Sequence, residues 1–160
     1  MSGFNGGLVS KAIVLASSAV AVSHTGTTAK TAVVTIPLPA LGANDQIRYQ
    51  VAFSSVNSGN NKTYAVTLGG VGGTDYLAST QTTGHYLEAG PKRICNRGAT
   101  NSQHGGLSAA NIVGGSSAST PVTSAIETNV SVDLCICVTL ANSSETARVE
   151  SYLIELIRGI

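Results

Sequence analysis

The sequence contains no tryptophan, only 4% aromatic residues and only 11% charged residues. Ordinary soluble domains carry about 25% charge, and here the difference is made up by Gly, Ser, Thr, Asn and Ala. A surface with so little charge repels its own copies weakly, which favours association. Nine basic against eight acidic residues leave a net charge of +1 and a pI near 7.7. That balance excludes the clustered positive charge that nucleic-acid binding needs. The nearest approach, Lys92, Arg93 and Arg97, reads as a solvated turn or a partner contact.

Long hydrophobic runs are missing as well. No stretch reaches the ~18 uninterrupted apolar residues that a membrane-spanning helix requires. The run AIVLASSAVAV after Lys11 has the outline of a secretory signal, but Ser17 and Ser18 break it, and it is expected to remain in a soluble protein. Cysteine is sparse and odd in number. Cys135 and Cys137 are two apart in an expected strand, about 6.6 Å between Cα atoms with parallel side chains, too far to bridge. With Cys95 they are expected as free thiols packed like small hydrophobes, consistent with folding in a reducing compartment.

Catalytic patterns are equally thin. His24, His85 and His104 lie in turn-like sequence with no metal-ligand spacing among them and are expected as exposed loop residues, so neither metal nor cofactor is expected. There is no GxSxG nucleophile elbow and no cysteine-protease signature. The carboxylates are scattered, with Glu145, Glu150 and Glu155 expected to face solvent in a C-terminal hairpin, so the pair needed for glycoside chemistry is missing. The glycine segments at 69–73 and 114–115 lack a phosphate-loop lysine and read as turns. An enzyme is not expected. A carbohydrate site is the alternative with named residues, Tyr76 and Tyr86, both placed in loops near Gln81 and His85.

What is present is strand signal at short intervals. The segment 12–22 is apolar and β-branched, and 31–36 alternates until Pro37 and Pro39, which cannot donate to a central ladder. Ile47, Tyr49, Val51 and Phe53 share one face, opposite Arg48 and Gln50. After NSGNN, Tyr64, Val66 and Leu68 share another, so 46–68 reads as a hairpin. Residues 75–80 and 86–96 carry weaker signals. Val130, Val132, Leu134, Ile136, Val138 and Leu140 form an unbroken apolar face. In ARVESYLIELI apolar residues fall on both faces, which suggests a doubly covered strand, with a helix as the other reading. Residues 101–123 are small and polar, a long loop carrying at most one short edge strand, and long loops in compact domains are usually functional. The length suits one core. The expected architecture is a Gly-rich N-terminal arm, 1–11, followed by one antiparallel β-sandwich, 12–160, a jelly roll of around eight strands.

Three stretches carry a family resemblance: SSAVAVSHTGTTAKTAVVTIPLPALGANDQIRYQVAFSSVNSGNNKTYAVTLGG, NRGATNSQ and ESYLIELI. Together they resemble a β-sandwich domain of tailed-bacteriophage virion structural proteins, of the capsid decoration (cement) or fibre type. The resemblance carries no catalytic residues. It implies a decoration protein on the capsid surface, assembled in the bacterial cytoplasm, a homotrimer or alternatively a homodimer that binds the major capsid protein. Another virion component, such as a head-fibre base, collar or tail accessory protein, is the alternative. The expected partner contacts are Phe4 and Leu8 on the arm and Asn101, Gln103, His104 and Leu107 in the long loop.

Overall fold

The computed structural model describes residues 11–82, 84–106 and 121–159. The arm anchors Phe4 and Leu8, and Leu107 in the long loop, lie outside the described residues. Eleven strands are described: β1 Ala12–Ser18, β2 Val22–His24, β3 Thr31–Leu38, β4 Gln46–Ser55, β5 Lys62–Leu68, β6 Thr74–Gln81, β7 His85–Asn96, β8 Gln103–Gly105, β9 Val122–Ser124, β10 Val132–Leu140 and β11 Ala147–Ile157.

One sheet has the order β1-β11-β4-β7-β8-β9, with β2 also paired to β11, and the other has the order β3-β10-β5-β6. All the pairings are antiparallel. Along the chain the eight long strands alternate between sheets except at the β5–β6 hairpin. The result is the paired four-strand arrangement of a jelly roll, β1-β11-β4-β7 facing β3-β10-β5-β6. The expected antiparallel β-sandwich of jelly-roll type is thus observed.

The alternation explains two corrections. Residues 46–68 do not form a hairpin, because β4 pairs with β11 and β7 while β5 pairs with β10 and β6. Likewise β10 and β11 sit in opposite sheets, so the C-terminal strands are not a hairpin. In both cases a strand and its sequence neighbour face each other across the core. Periodicity reports the buried face of each strand but not its hydrogen-bonded partner.

The buried faces themselves follow the sequence pattern. Ile47, Tyr49, Val51 and Phe53 from one sheet meet Tyr64, Val66, Leu68, Leu134, Ile136, Val138 and Leu140 from the other, all fully or almost fully buried. Phe53 and Tyr64 stack between the sheets with ring centroids 4.7 Å apart. Val130 is exposed, since β10 begins only at Val132. Pro37 stays within β3, which is tolerated because β3 is an edge strand.

The segment ARVESYLIELI is a strand, and a bulge between Val149 and Ser151 explains its mixed pattern. Ala147 and Val149 face the core before the bulge, Ile154 and Leu156 after it. The extra residue shifts the parity, so apolar residues occupy both registers of the sequence. Segment 12–22 breaks into β1 and β2.

The free cysteines Cys135 and Cys137 lie on the back of β10, buried in a small cluster with Ala65. Burial pushes the Cys137 thiol above its usual pKa range, the upward push outweighing the hydrogen bond from Thr67.

Candidate functional site

The segment expected to grip a partner is flanked by β8 and β9, which pair as a short stem. These short strands extend the larger sheet beyond β7, with Gln103 opposite Ser124, His104 opposite Thr123 and Gly105 opposite Val122. The expectation of at most one short strand here is therefore corrected to two. Three-residue strands hold themselves together weakly, and the side chain of Gln103 supplies the missing cohesion.

Gln103 is 2% exposed. Its Nε2 donates to Asn96 Oδ1 at 3.0 Å and to the Thr100 carbonyl at 2.8 Å. Its Oε1 accepts from Ser124 Oγ at 3.0 Å and from the Ile126 amide at 2.9 Å. One amide thereby ties together β7, the 97–102 turn, β9 and the strand-free stretch after β9. Asn96 continues the network, its Nδ2 donating to the Gly42 carbonyl at 2.7 Å and to Thr128 Oγ1 at 2.9 Å.

Below the stem, Tyr76 hydrogen-bonds Ser124 Oγ at 2.6 Å through its hydroxyl, and Tyr49 donates to the Tyr76 carbonyl at 2.9 Å. Gly105 packs closely against the Tyr76 ring. A Cβ on Gly105 would come within 2.3 Å of a ring carbon, so only glycine allows this close approach.

Asp45 makes a second clamp beside this network. Its carboxylate accepts the Gly42 amide at 2.7 Å, the Gly159 amide at 2.8 Å and Arg158 Nη1 at 2.5 Å. Burial alone would raise its pKa, but these three donors outweigh that and hold it below the usual carboxylate value. The Asn96 amide donates to the Asp45 carbonyl at 2.9 Å, which links this clamp to the Gln103 network.

The residues singled out from the sequence therefore have different places. Asn101 is exposed in the turn leading to the stem, and His104 is half-buried on the outward face of β8. Gln103 is an internal brace and not a contact group. Tyr76 is a buried residue of β6, whereas Tyr86 is 63% exposed on β7, so the two do not form a joint surface.

The histidines are not loop residues. His24 is buried at the end of β2, His85 opens β7 and His104 lies in β8. Glu145 does not face solvent either. It is buried 3.5 Å from Lys62 Nζ, which is itself wholly buried. Glu155 is held by Arg48 at 2.6 Å, directly opposite it in the ladder, and that hydrogen bond holds its carboxyl below the usual range.

Sequence reasoning missed Lys62, Asp45 and Asn96. A lysine two residues before a tyrosine on an inward face was a usable signal for Lys62, since it must share the buried side of β5.

Among the described residues no group of three or more His, Cys, Asp or Glu side chains is placed to hold a metal ion. No protein-family model matches the sequence, and no curated protein does.

Several solved structures align with the fold. The T13 viral particle of infectious bursal disease virus aligns at 14% identity and a TM-score of 0.39, covering 93% of this chain and 31% of that one. The Gx strain of the same virus aligns at 11% identity and a TM-score of 0.41, covering 93% of this chain and 32% of that one. Its VP2 subviral particle gives 12% identity and a TM-score of 0.39, with 93% and 32% covered. This chain thus spans about a third of those proteins. A likeness of that size decides nothing about this one.

Proposed function

We propose that this chain is a non-enzymatic structural protein of a tailed-phage virion, a decoration protein that binds across major capsid protein subunits. The observation that carries the reading is the braced stem. A buried amide with four hydrogen bonds is used to fix the base from which residues 107–120 depart. Rigid scaffolds that present a long segment are a common way to build a binding surface.

Three further features support it. The resemblance noted in the sequence points to virion proteins. The jelly roll is an architecture that capsid domains use, though lectins and other proteins use it too. The low charge favours packing among copies and neighbours.

In this reading the protein is a homotrimer or homodimer on the capsid surface. Asn101, His104 and the 107–120 segment contact the shell, and residues 1–11, with Phe4 and Leu8, reach a neighbouring subunit. Contacts that exist only in the assembled shell stabilise that shell by mass action.

The test replaces residues 107–120 with a short Gly-Ser linker and, separately, removes residues 1–10, then measures sedimentation with empty capsids. Each change should lower occupancy at least tenfold while the far-ultraviolet spectrum stays that of the parent. Unchanged occupancy for both variants refutes the contact assignment.

A further inference from the structure

Among the described residues, the buried side-chain nitrogens and oxygens with no protein hydrogen-bond partner are His24 Nε2, Ser55 Oγ, Tyr64 OH, His85 Nε2 and Glu145 Oε2. All five belong to one end of the sandwich. The ladder places His24 opposite Ala147, Ala147 opposite Ser55, and Ser55 opposite His85, so these four residues form one row across β2, β11, β4 and β7. Residues in such a row point to the same side of a sheet, and fully buried Ala147 identifies that side as the core.

The other two join the row from across the core and from the loop above it. Tyr64 stacks on Phe53, two residues before Ser55. Its hydroxyl lies close enough to Ser55 to offset part of the rise in pKa that burial causes, without reaching hydrogen-bond geometry. Glu145 precedes Ala147 by two residues, and its loop is joined to the stretch after His24 by the Gly26 amide donating to the Ser143 carbonyl at 2.9 Å. Glu145 spends its Oε1 on Asn60 Nδ2 at 3.0 Å and on Lys62 Nζ at 3.5 Å. Lys62 also donates to the Asn60 carbonyl at 2.9 Å and to Ser58 Oγ.

These groups restrict what can bind them. The carboxylate oxygen only accepts, the hydroxyls both donate and accept, and each imidazole nitrogen does one or the other according to tautomer. The charges of Lys62 and Glu145 already offset each other, so the site calls for a neutral ligand. His24, His85 and Glu145 are not gathered as metal ligands. A small molecule that donates and accepts from one atom meets all five needs, and water is that molecule.

We propose that this end of the sandwich is an internal water-binding site with two separate positions. One lies among Ser55, Tyr64 and His85, and the other between His24 and Glu145. Two are required because His24 and His85 are three strand spacings apart, about 14 Å, which one water cannot span. At this end the two sheets are joined through solvent as well as through side chains. The inference does not depend on the virion reading.

The test is a crystal structure of the full chain at a resolution that orders water, together with thermal unfolding of Tyr64→Phe. That substitution keeps the ring stacked on Phe53 and removes one hydroxyl. Expected are ordered waters at both positions, each with at least two of the named partners, and a Tm lowered by about 2–4 °C because a bridging water loses a partner. A raised or unchanged Tm would mean that the hydroxyl is buried dry, and overturns the proposal. So would a map in which these side chains bond one another directly, or in which a molecule other than water fills either position.

Discussion

Gln103 Nε2 donates to Asn96 Oδ1 at 3.0 Å, and this contact joins the β8–β9 stem to the last residue of β7. Replacing Gln103 by Ala leaves buried Asn96 and the part-buried Ser124 hydroxyl and Ile126 amide each short of a partner. An orphaned buried group costs about 1–3 kcal/mol, and some are recovered by relaxation. Urea unfolding of Gln103→Ala should therefore show a loss of about 2–4 kcal/mol with an unchanged slope. A loss under about 0.5 kcal/mol would mean that the stem stands without its brace.

Gly105→Ala tests the contact between the stem and the layer beneath it. The new methyl meets the ring of Tyr76, which is fully buried and fixed at its hydroxyl by Ser124. Overpacking of this kind costs about 1–3 kcal/mol. The same change at exposed Gly72, where a Cβ meets nothing, should be neutral within about 0.5 kcal/mol. Equal effects at the two sites in chemical denaturation would refute the packing shown at Gly105.

Acid should weaken the fold through Asp45. Its folded-state pKa lies below the value of about 4 expected in the unfolded chain. Ionised Asp45 therefore stabilises the fold above that value, and the contribution is lost as pH falls through the lower folded value. Glu155, also held below its usual range by Arg48, acts in the same direction. Stability measured from pH 5 down to pH 2 should fall, and the fall should be shallower in Asp45→Asn. A parallel curve for the variant would exclude Asp45 as a contributor.

The thiols give a kinetic check on the core. Cys135 and Cys137 are buried and Cys95 is half-buried. Burial raises the Cys137 pKa, and burial raises that of Cys95 more than nearby Arg93 lowers it. A thiol-specific chromogenic reagent at neutral pH should label Cys95 slowly, and Cys135 and Cys137 only after unfolding. Rapid labelling of all three in the native protein would contradict the packing of the β10 back face.

Much of the fold was legible in the sequence because burial repeats every two residues in a strand. The inward faces of β4, β5 and β10 follow directly from that period. Partner choice was not legible: β4 and β5 look like a hairpin in sequence, but the jelly roll sends them to opposite sheets. The bulge at 149–151 disguised one half-covered strand as a doubly covered one, because a single extra residue inverts parity.

Polar residues were read least well. Gln103, Lys62 and Glu145 belong to residue types that are mostly exposed, and only their partners, distant in sequence, show why they are buried. The small polar residues of 107–120, expected as a long loop, lie outside the described residues. The β8–β9 stem was not legible, since strands of three residues are too short to show a period.

The decisive measurement of the proposed decoration role adds the purified chain to empty phage shells and images them by electron microscopy. Saturable density is expected at fixed positions on the outer shell, in a constant ratio to the major capsid protein, with residues 107–120 or the first ten residues at the contact. A chain that leaves shells bare at saturating concentration, or that turns over a substrate in solution, would contradict it.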